Sequence, residues 1–237
     1  MKIATATKKF RGFTLIELIV VIAILATLMG ISYPAIMGVQ ENARISSSYK
    51  TCVDVVAGVM NFKQDHNGIM PYYPRDAKPN RDDQIYLSTE PGKDAGMLAI
   101  LTGYEEGDIK LNINDEAYIK PTKAEEKRDG LYGESARELG LYDPWGKPYY
   151  IVLCETNDGC IDPFTDKRIR RESCLVYGLG PDGEGIARAH AGKTKKKSAS
   201  GKGMSKEEKR QAVREAAEAE EDAILDNVFS WKKKSKK

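Results

Sequence analysis

The most constraining feature of this sequence is a nearly uninterrupted apolar run of 19 residues near the N-terminus, FTLIELIVVIAILATLMGI, with Glu17 as its only charge. A helix of that length rises about 28 Å, close to the hydrocarbon thickness of a bilayer. Residues 1–12 before the run are basic, whereas the first basic residue after it is Arg44. The positive-inside rule therefore predicts a single span with the N-terminus in the cytoplasm and the rest of the chain outside.

Glu17 needs a partner in this setting, because a carboxylate near the centre of a span costs about 2.5–3.5 kcal/mol to insert. Its own helix holds no basic residue within reach. Cleavage between Gly12 and Phe13 would create an α-amino group four residues before Glu17. In a staggered filament, that amine on one chain could meet Glu17 of the next. The alternative interpretation is a tolerated glutamate in a signal anchor.

Residues 11–17, RGFTLIE, resemble the class III signal of type IV prepilins and pseudopilins. The resemblance implies cleavage after Gly12 by a prepilin peptidase, N-methylation of Phe13, and a role for Glu17 in docking subunits. Pro34 also matches, because many pilins have a kink or locally melted turn at this position. Proline removes one helical hydrogen bond, so a break there has a physical cause.

The chain as a whole predicts an α+β fold. A long N-terminal helix, half transmembrane and half amphipathic, should pack on a small antiparallel sheet. The helix should continue to about residue 66, because Asn67 and Gly68 form a stop signal. Residues 143–153 and 174–179 predict two strands of a long-looped hairpin, and residues 94–103 a short helix. The residues predicted to face the sheet recur at helical spacing: Ile45, Tyr49, Cys52, Val56 and Val59. Glu105, Glu106 and Asp108 predict a solvated turn, with an ion site as the alternative.

Two further strings, DPWG at residues 143–146 and YGLGPDG at residues 177–183, resemble turns of the major pseudopilins of type II secretion. In those proteins the second turn and a following acidic stretch bind calcium, which takes six to eight oxygen ligands. Here an insertion of about 35 residues separates the two parts, a length that costs little closure entropy. The ligands that the resemblance implies are Asp182, Asp222, Glu221 and the Leu179 carbonyl. The alternative is a surface turn followed by an unrelated acidic helix.

Charge is distributed unevenly, with +4 on residues 1–12, −8 on residues 13–190 and +6 on residues 191–237. The sequence thus predicts five segments: leader peptide 1–12, transmembrane and filament-core helix 13–37, periplasmic head 38–190, basic linker and charged helix 191–220, and C-terminal loop segment with basic tail 221–237. In an oxidising periplasm, one disulfide is expected among Cys154, Cys160 and Cys174, with its pairing left open.

These features predict a structural role. Neither a nucleophile elbow nor an HExxH motif occurs, so we expect no enzyme and no cofactor besides calcium. The resemblance implies a pseudopilin of a type II secretion-like machine that supports export across the outer membrane. Implied partners are further copies in a helical filament, the prepilin peptidase, the inner-membrane assembly platform and minor pseudopilins. The alternative is a type IV pilus subunit for adhesion, motility or DNA uptake. Nucleic acid is not the expected partner, although the basic tail leaves DNA or acidic lipid open.

Overall fold

The computed structural model describes residues 13–80, 82–156, 158–186 and 227–230, with the side chains of residues 31–35 left out. The chain divides into two compact units, Met1–Ala43 and Arg44–Lys237. Helix α1, Leu15–Asp65, continues through both. Within the described residues, no helix is long and apolar enough to cross a membrane. The basic linker and charged helix predicted at residues 191–220 lie outside the described residues.

Helix α1 includes Pro34, and the kink or locally melted turn that the resemblance implies at this position stays a prediction. A proline lacks only one N–H group, and the helix continues on both sides of that missing bond. The end of α1 agrees with the sequence. Gly68 has a φ of 90° and its N–H donates to the Lys63 carbonyl at 2.7 Å, which closes the last turn as a C-terminal glycine does.

The second unit is built on a four-stranded antiparallel sheet in the order β1-β4-β7-β8. Its strands are β1 (Gln84–Ser88), β4 (Tyr150–Cys154), β7 (Cys174–Gly178) and β8 (Val228–Phe229). The predicted hairpin is confirmed, with Ile151 opposite Val176. Two smaller ribbons pair β2 (Gly130–Tyr132) with β3 (Gly140–Tyr142) and β5 (Cys160–Ile161) with β6 (Arg168–Ile169). Helix α2, Met97–Thr102, confirms the predicted short helix. The α+β fold is therefore the one that the sequence predicted.

Both faces of this sheet are covered. On one face, Ile151 and Val176 pack with α1 in the main core. Because successive residues of a strand point to opposite faces, Val152 and Leu175 join Cys160 in a second cluster on the other side. A third cluster on that side joins Tyr177 to Phe229 of the last strand. The loop between β4 and β7 is thus folded back over the outer face of the sheet.

The face that α1 presents to the sheet differs from the predicted stripe. Cys52 and Val59 are fully buried as predicted, whereas Tyr49 is 41% exposed. The other buried positions of α1 are Ser48, Val55, Gly58 and Phe62. Ser48 explains the difference between the predicted and the observed face. Its hydroxyl accepts a hydrogen bond from buried Tyr149 at 3.2 Å, a long-range contact that the sequence does not reveal. A polar residue therefore lies in the stripe, and the buried face is rotated away from Tyr49.

Candidate functional sites: the N-terminal segment and the loop after β7

The start of α1 is closed by a reciprocal cap between Thr14 and Glu17. The Thr14 N–H and hydroxyl both donate to Glu17 Oε2 at 2.8 Å, and the Glu17 N–H donates to Thr14 Oγ1 at 3.3 Å. This is a capping box, in which two side chains satisfy backbone groups that have no helical partner. The sequence signal was the Thr-x-x-Glu spacing, which our sequence analysis did not use. Glu17 therefore has a local partner in the single chain, one that is not a cation.

The apolar run is exposed in the isolated chain. Phe13 is 79% exposed, Leu15 76% and Ile16 70%. An exposed apolar surface of this extent marks a region that packs against a membrane or another protein. Gly12, at the predicted cleavage position, lies outside the described residues.

The loop after β7 is folded tightly, and the C-terminal strand returns beside it. Gly178 is paired with Val228, and the Asn227 side chain donates to the Gly185 carbonyl at 2.9 Å. The two stretches that flank the insertion therefore meet, as the sequence allowed. Asp182 is exposed, and its carboxylate accepts the Glu184 N–H at 3.0 Å.

A glycine is required in this loop at Gly183, where φ is +70°. A Cβ there would lie 2.5 Å from Lys147 Cε, so the side chain of Lys147 packs directly on the turn. Lys147 belongs to the turn that follows Asp143. The two strings that resemble pseudopilin turns are thus neighbours in the fold.

The predicted calcium ligands are divided between described and undescribed residues. Leu179 is buried and Asp182 lies in the loop, whereas Glu221 and Asp222 lie outside the described residues. The described residues contain no group of three His, Cys, Asp or Glu side chains that could hold a metal ion. They do contain Asn227, which the sequence analysis missed. Asn227 is 7% exposed, and its Oδ1 has no hydrogen-bond partner among the described residues. An amide oxygen of this kind suits calcium, which prefers hard oxygen ligands.

The turn at residues 143–146 is organised by a buried carboxylate. Asp143 Oδ1 accepts the N–H groups of Lys147 at 2.7 Å and Trp145 at 3.0 Å. Its Oδ2 is buried without a partner among the described residues. Burial raises the pKa of Asp143 from 3.8 to about 6, against the opposing effect of the backbone donors. This arrangement fixes the turn and the start of β4.

Of the three cysteines considered for a disulfide, the structure joins Cys154 to Cys160, with Cα atoms 5.6 Å apart. Cys174 and Cys52 are buried free thiols. Burial raises the pKa of both thiols, which disfavours the reactive thiolate. The bond therefore anchors the loop after β4, while the remaining cysteines serve as core residues.

Comparison with known proteins adds to these observations. Residues 7–33 match the family described as the prokaryotic N-terminal methylation motif. The chain is 29% identical to type II secretion system core protein G of Escherichia coli (strain K12) over 147 residues, 62% of this chain and 74% of the relative. The chain is thus similar to a secretion-system core protein and carries a methylation motif at its N-terminus.

A second relative carries the same name as the first. It is type II secretion system core protein G of Pectobacterium carotovorum subsp. carotovorum, 28% identical over 173 residues, 73% of this chain and 77% of the relative. No solved structure matches the chain at a comparable level of significance. Both relatives carry the name of a secretion-system core protein.

Proposed function

We propose that this chain is a pseudopilin, a structural filament subunit of a type II secretion-like machine that supports protein export across the outer membrane. It is cleaved after Gly12, methylated at Phe13, and held in the inner membrane by its N-terminal helix, with the C-terminal domain in the periplasm. The observation that carries this proposal is the methylation motif at residues 7–33, joined to a head that is similar to core protein G.

The geometry of the N-terminus supports a role for Glu17 in assembly. In the single chain, Glu17 accepts hydrogen bonds from the neutral groups of Thr14. Cleavage after Gly12 would leave a charged amine on the residue next to Thr14. A charge-assisted hydrogen bond is roughly twice as strong as a neutral one. The amine of a neighbouring subunit can therefore replace Thr14 as the partner of Glu17 when the helices pack together.

The partners follow from this role. The prepilin peptidase acts on the precursor, the inner-membrane platform receives the mature subunit, and minor pseudopilins join further copies of the chain in the filament. The similarity to core protein G favours a secretion filament over a type IV pilus used for adhesion, motility or DNA uptake.

The first experiment expresses the full chain with and without its cognate prepilin peptidase and determines the mature N-terminus by mass spectrometry. We expect a methylated Phe13 start only when the peptidase is present. Gly12→Val should block cleavage, and Glu17→Gln should permit cleavage while reducing filament yield. An unchanged Met1 start in the presence of the peptidase would overturn the proposal.

We also propose that the loop after β7 binds calcium. Asp182, Asn227 and the Leu179 carbonyl, together with Asp222 and Glu221 from beyond the described residues, would supply the oxygen ligands. The supporting observation is the buried amide oxygen of Asn227 that has no partner among the described residues. Calcium would neutralise the carboxylates and join the loop to the strand that returns beside it.

Thermal unfolding of the full chain tests the calcium site. Saturating Ca²⁺ at about 100 times the dissociation constant should stabilise the fold by about 2.7 kcal/mol, and Mg²⁺ should do much less. Asn227→Ala and Asp182→Asn should each remove most of the Ca²⁺ effect, whereas Asp115→Asn, in the loop between α2 and β2, should retain it. An equal response in all variants would argue against this site.

A further inference from the structure

The loop between α2 and β2 presents apolar side chains to solvent. We call residues 104–116 the isoleucine loop. Ile109 and Ile113 are each 79% exposed, and Tyr104 is 61% exposed. Large side chains exposed to this degree on one short loop resemble the anchors of protein interfaces. The loop has no regular secondary structure, so its shape has to be fixed by side chains.

The polar anchor of the isoleucine loop is Glu105, which contradicts the solvated turn predicted there. Glu105 is only 6% exposed. Its carboxylate accepts the hydroxyl of Tyr73 and the N–H groups of Leu111 at 3.1 Å and Asn112 at 2.7 Å. A buried carboxylate with three donors is satisfied and therefore rigidifies the segment.

Asn112 provides the second anchor. It is fully buried, and its amide donates to the carbonyls of Ile100 at 2.8 Å and Glu116 at 2.7 Å. The Glu116 N–H returns a bond to Asn112 Oδ1 at 3.1 Å. The exposed isoleucines are thus held by a fixed scaffold, which lowers the entropy cost of binding a partner.

The isoleucine loop is acidic around its apolar residues. It contains five carboxylates and one lysine. Glu105 is buried, and Asp115 is paired with Lys110 at 2.8 Å. The exposed carboxylates of Glu106, Asp108 and Glu116 remain around the isoleucines. A partner would need a cationic surface.

The chain itself carries such a surface on the ribbon formed by β5 and β6. We call residues 160–171 the arginine hairpin. Its cations Lys167, Arg168, Arg170 and Arg171 are all exposed, whereas one of its two carboxylates, Asp162, is buried. No salt bridge within the described residues involves these four cations.

The arginine hairpin is also held in place. Cys160 is bonded to Cys154 of β4, and Ile169 packs against the outer face of the sheet. The Asp162 carboxylate accepts the Phe164 N–H at 2.9 Å and closes the turn. The cations therefore project from a fixed base. Both surfaces belong to the same compact unit of the chain.

We propose that neighbouring copies of this chain meet in the filament through the isoleucine loop of one copy and the arginine hairpin of the next. This inference rests on the proposed function, because only an assembled filament brings heads together in a repeating order. A helical filament joins two different surfaces of the same chain, and these two are opposite in charge. The charges orient the contact, and the isoleucines contribute the apolar area.

Disulfide cross-linking in filaments tests the contact directly. Full-length Ile109→Cys/Arg170→Cys is assembled with its peptidase and platform and then oxidised. The native cysteines do not interfere, because two are bonded and two are buried. We expect a ladder of dimers, trimers and longer products. Glu125→Cys/Arg170→Cys, which places one cysteine at an exposed position outside the isoleucine loop, should give at least tenfold less cross-linked product.

Charge reversal provides a second readout. Arg168→Glu/Arg170→Glu and Glu106→Arg/Asp108→Arg should each reduce filament yield about tenfold, and the combination should restore most of it. Thermal unfolding of each variant establishes that the head is folded. Normal filaments without the ladder, or reversals without effect, would overturn this contact and leave the proposed function standing. An unprocessed or unassembled wild-type chain would overturn the proposed function itself.

Discussion

At Gly58, helix α1 packs closely against the loop before β2. A Cβ at Gly58 would lie 2.3 Å from Ile119 Cγ2 and 3.2 Å from the Tyr118 carbonyl oxygen. Ile119 is itself 5% exposed, so it has little room to move. The absence of a side chain is therefore what permits this packing.

Gly58→Ala should destabilise the head, although alanine favours a helix by about 1 kcal/mol over glycine. Overpacking in a filled core costs about 1–3 kcal/mol, which exceeds that gain. Thermal unfolding of the full chain measures the difference. Gly38→Ala is the matched control, because a Cβ there meets nothing within 4 Å. A stabilised Gly58→Ala variant would show that the helix and the loop are less tightly packed than described.

Asp143 makes the stability of the head depend on pH. Its folded-state pKa of about 6 lies above its ordinary value of 3.8. The folded state therefore binds the proton more tightly, and the contribution to stability is complete below about pH 4 and lost as the pH rises through 6. The free energy involved is at most about 3 kcal/mol.

Asp143→Asn should remove that pH dependence while keeping an oxygen acceptor for Lys147 and Trp145. We expect the wild type to lose stability between pH 4 and pH 6 relative to the variant, as measured by chemical denaturation at each pH. Burial also raises the pKa of Asp94. The resulting pH dependence of the free energy of unfolding is the same in the wild type and in the variant, so it cancels when the two are compared. Parallel pH profiles would refute the assignment to Asp143.

At the scale of elements, the long connection between β4 and β7 is a covering for the outer face of the sheet. Cys160 and Ile169 pack with Val152 and Leu175, and Phe164 packs edge-on against Tyr177 at a ring-centroid distance of 4.9 Å. The disulfide between Cys154 and Cys160 attaches this covering to β4. The connection therefore belongs to the core.

Reduction of the disulfide should lower the free energy of unfolding by about 2 kcal/mol, because the bond closes a short loop in the unfolded chain. Denaturation with and without reductant measures the change. Cys154→Ser/Cys160→Ser should unfold as the reduced wild type does and should be insensitive to reductant. If reductant destabilised this double variant equally, the effect would not belong to the bond.

At the scale of the whole chain, β8 completes the sheet from beyond the insertion. Val228 and Phe229 are 5% and 8% exposed, and the Ser230 N–H donates to the Val176 carbonyl at 2.9 Å. A strand so well packed does not depend on the length of the connection that precedes it. We therefore expect the connection to contribute mainly a closure entropy, which changes slowly with length.

Replacement of residues 191–220 by a short Gly-Ser linker should keep the fold intact. Shortening the connection from 40 residues to about 12 should leave stability equal or raise it by about 1 kcal/mol. Chemical denaturation of the full chain and its shortened variant gives the comparison. A loss of several kcal/mol would show that the insertion packs against the head. The control is the shortened variant that also carries Phe229→Ala. Its free energy of unfolding should fall, because the packing of β8 on the sheet is weakened.

Local patterns determined the N-terminal signal, the α+β class, the end of α1, the short helix α2 and the central pair β4 and β7. Each of these depends on residues close together in sequence: a motif, a glycine stop or a run of β-branched and aromatic side chains. The Thr14–Glu17 cap was equally local and was missed only because the expected partner was a cation.

Only the tertiary structure decided the rest, since those features depend on residues far apart in the chain. Ser48 enters the buried face of α1 because Tyr149 reaches it, and Glu105 is buried because Tyr73 donates to it. The pairing of β8 with β7 places Asn227 beside the loop after β7. The sequence alone does not show that residues on the two sides of the insertion meet. Sequence periodicity reports which residues can share a face, but long-range packing and hydrogen bonding select which of them are buried and which polar groups meet.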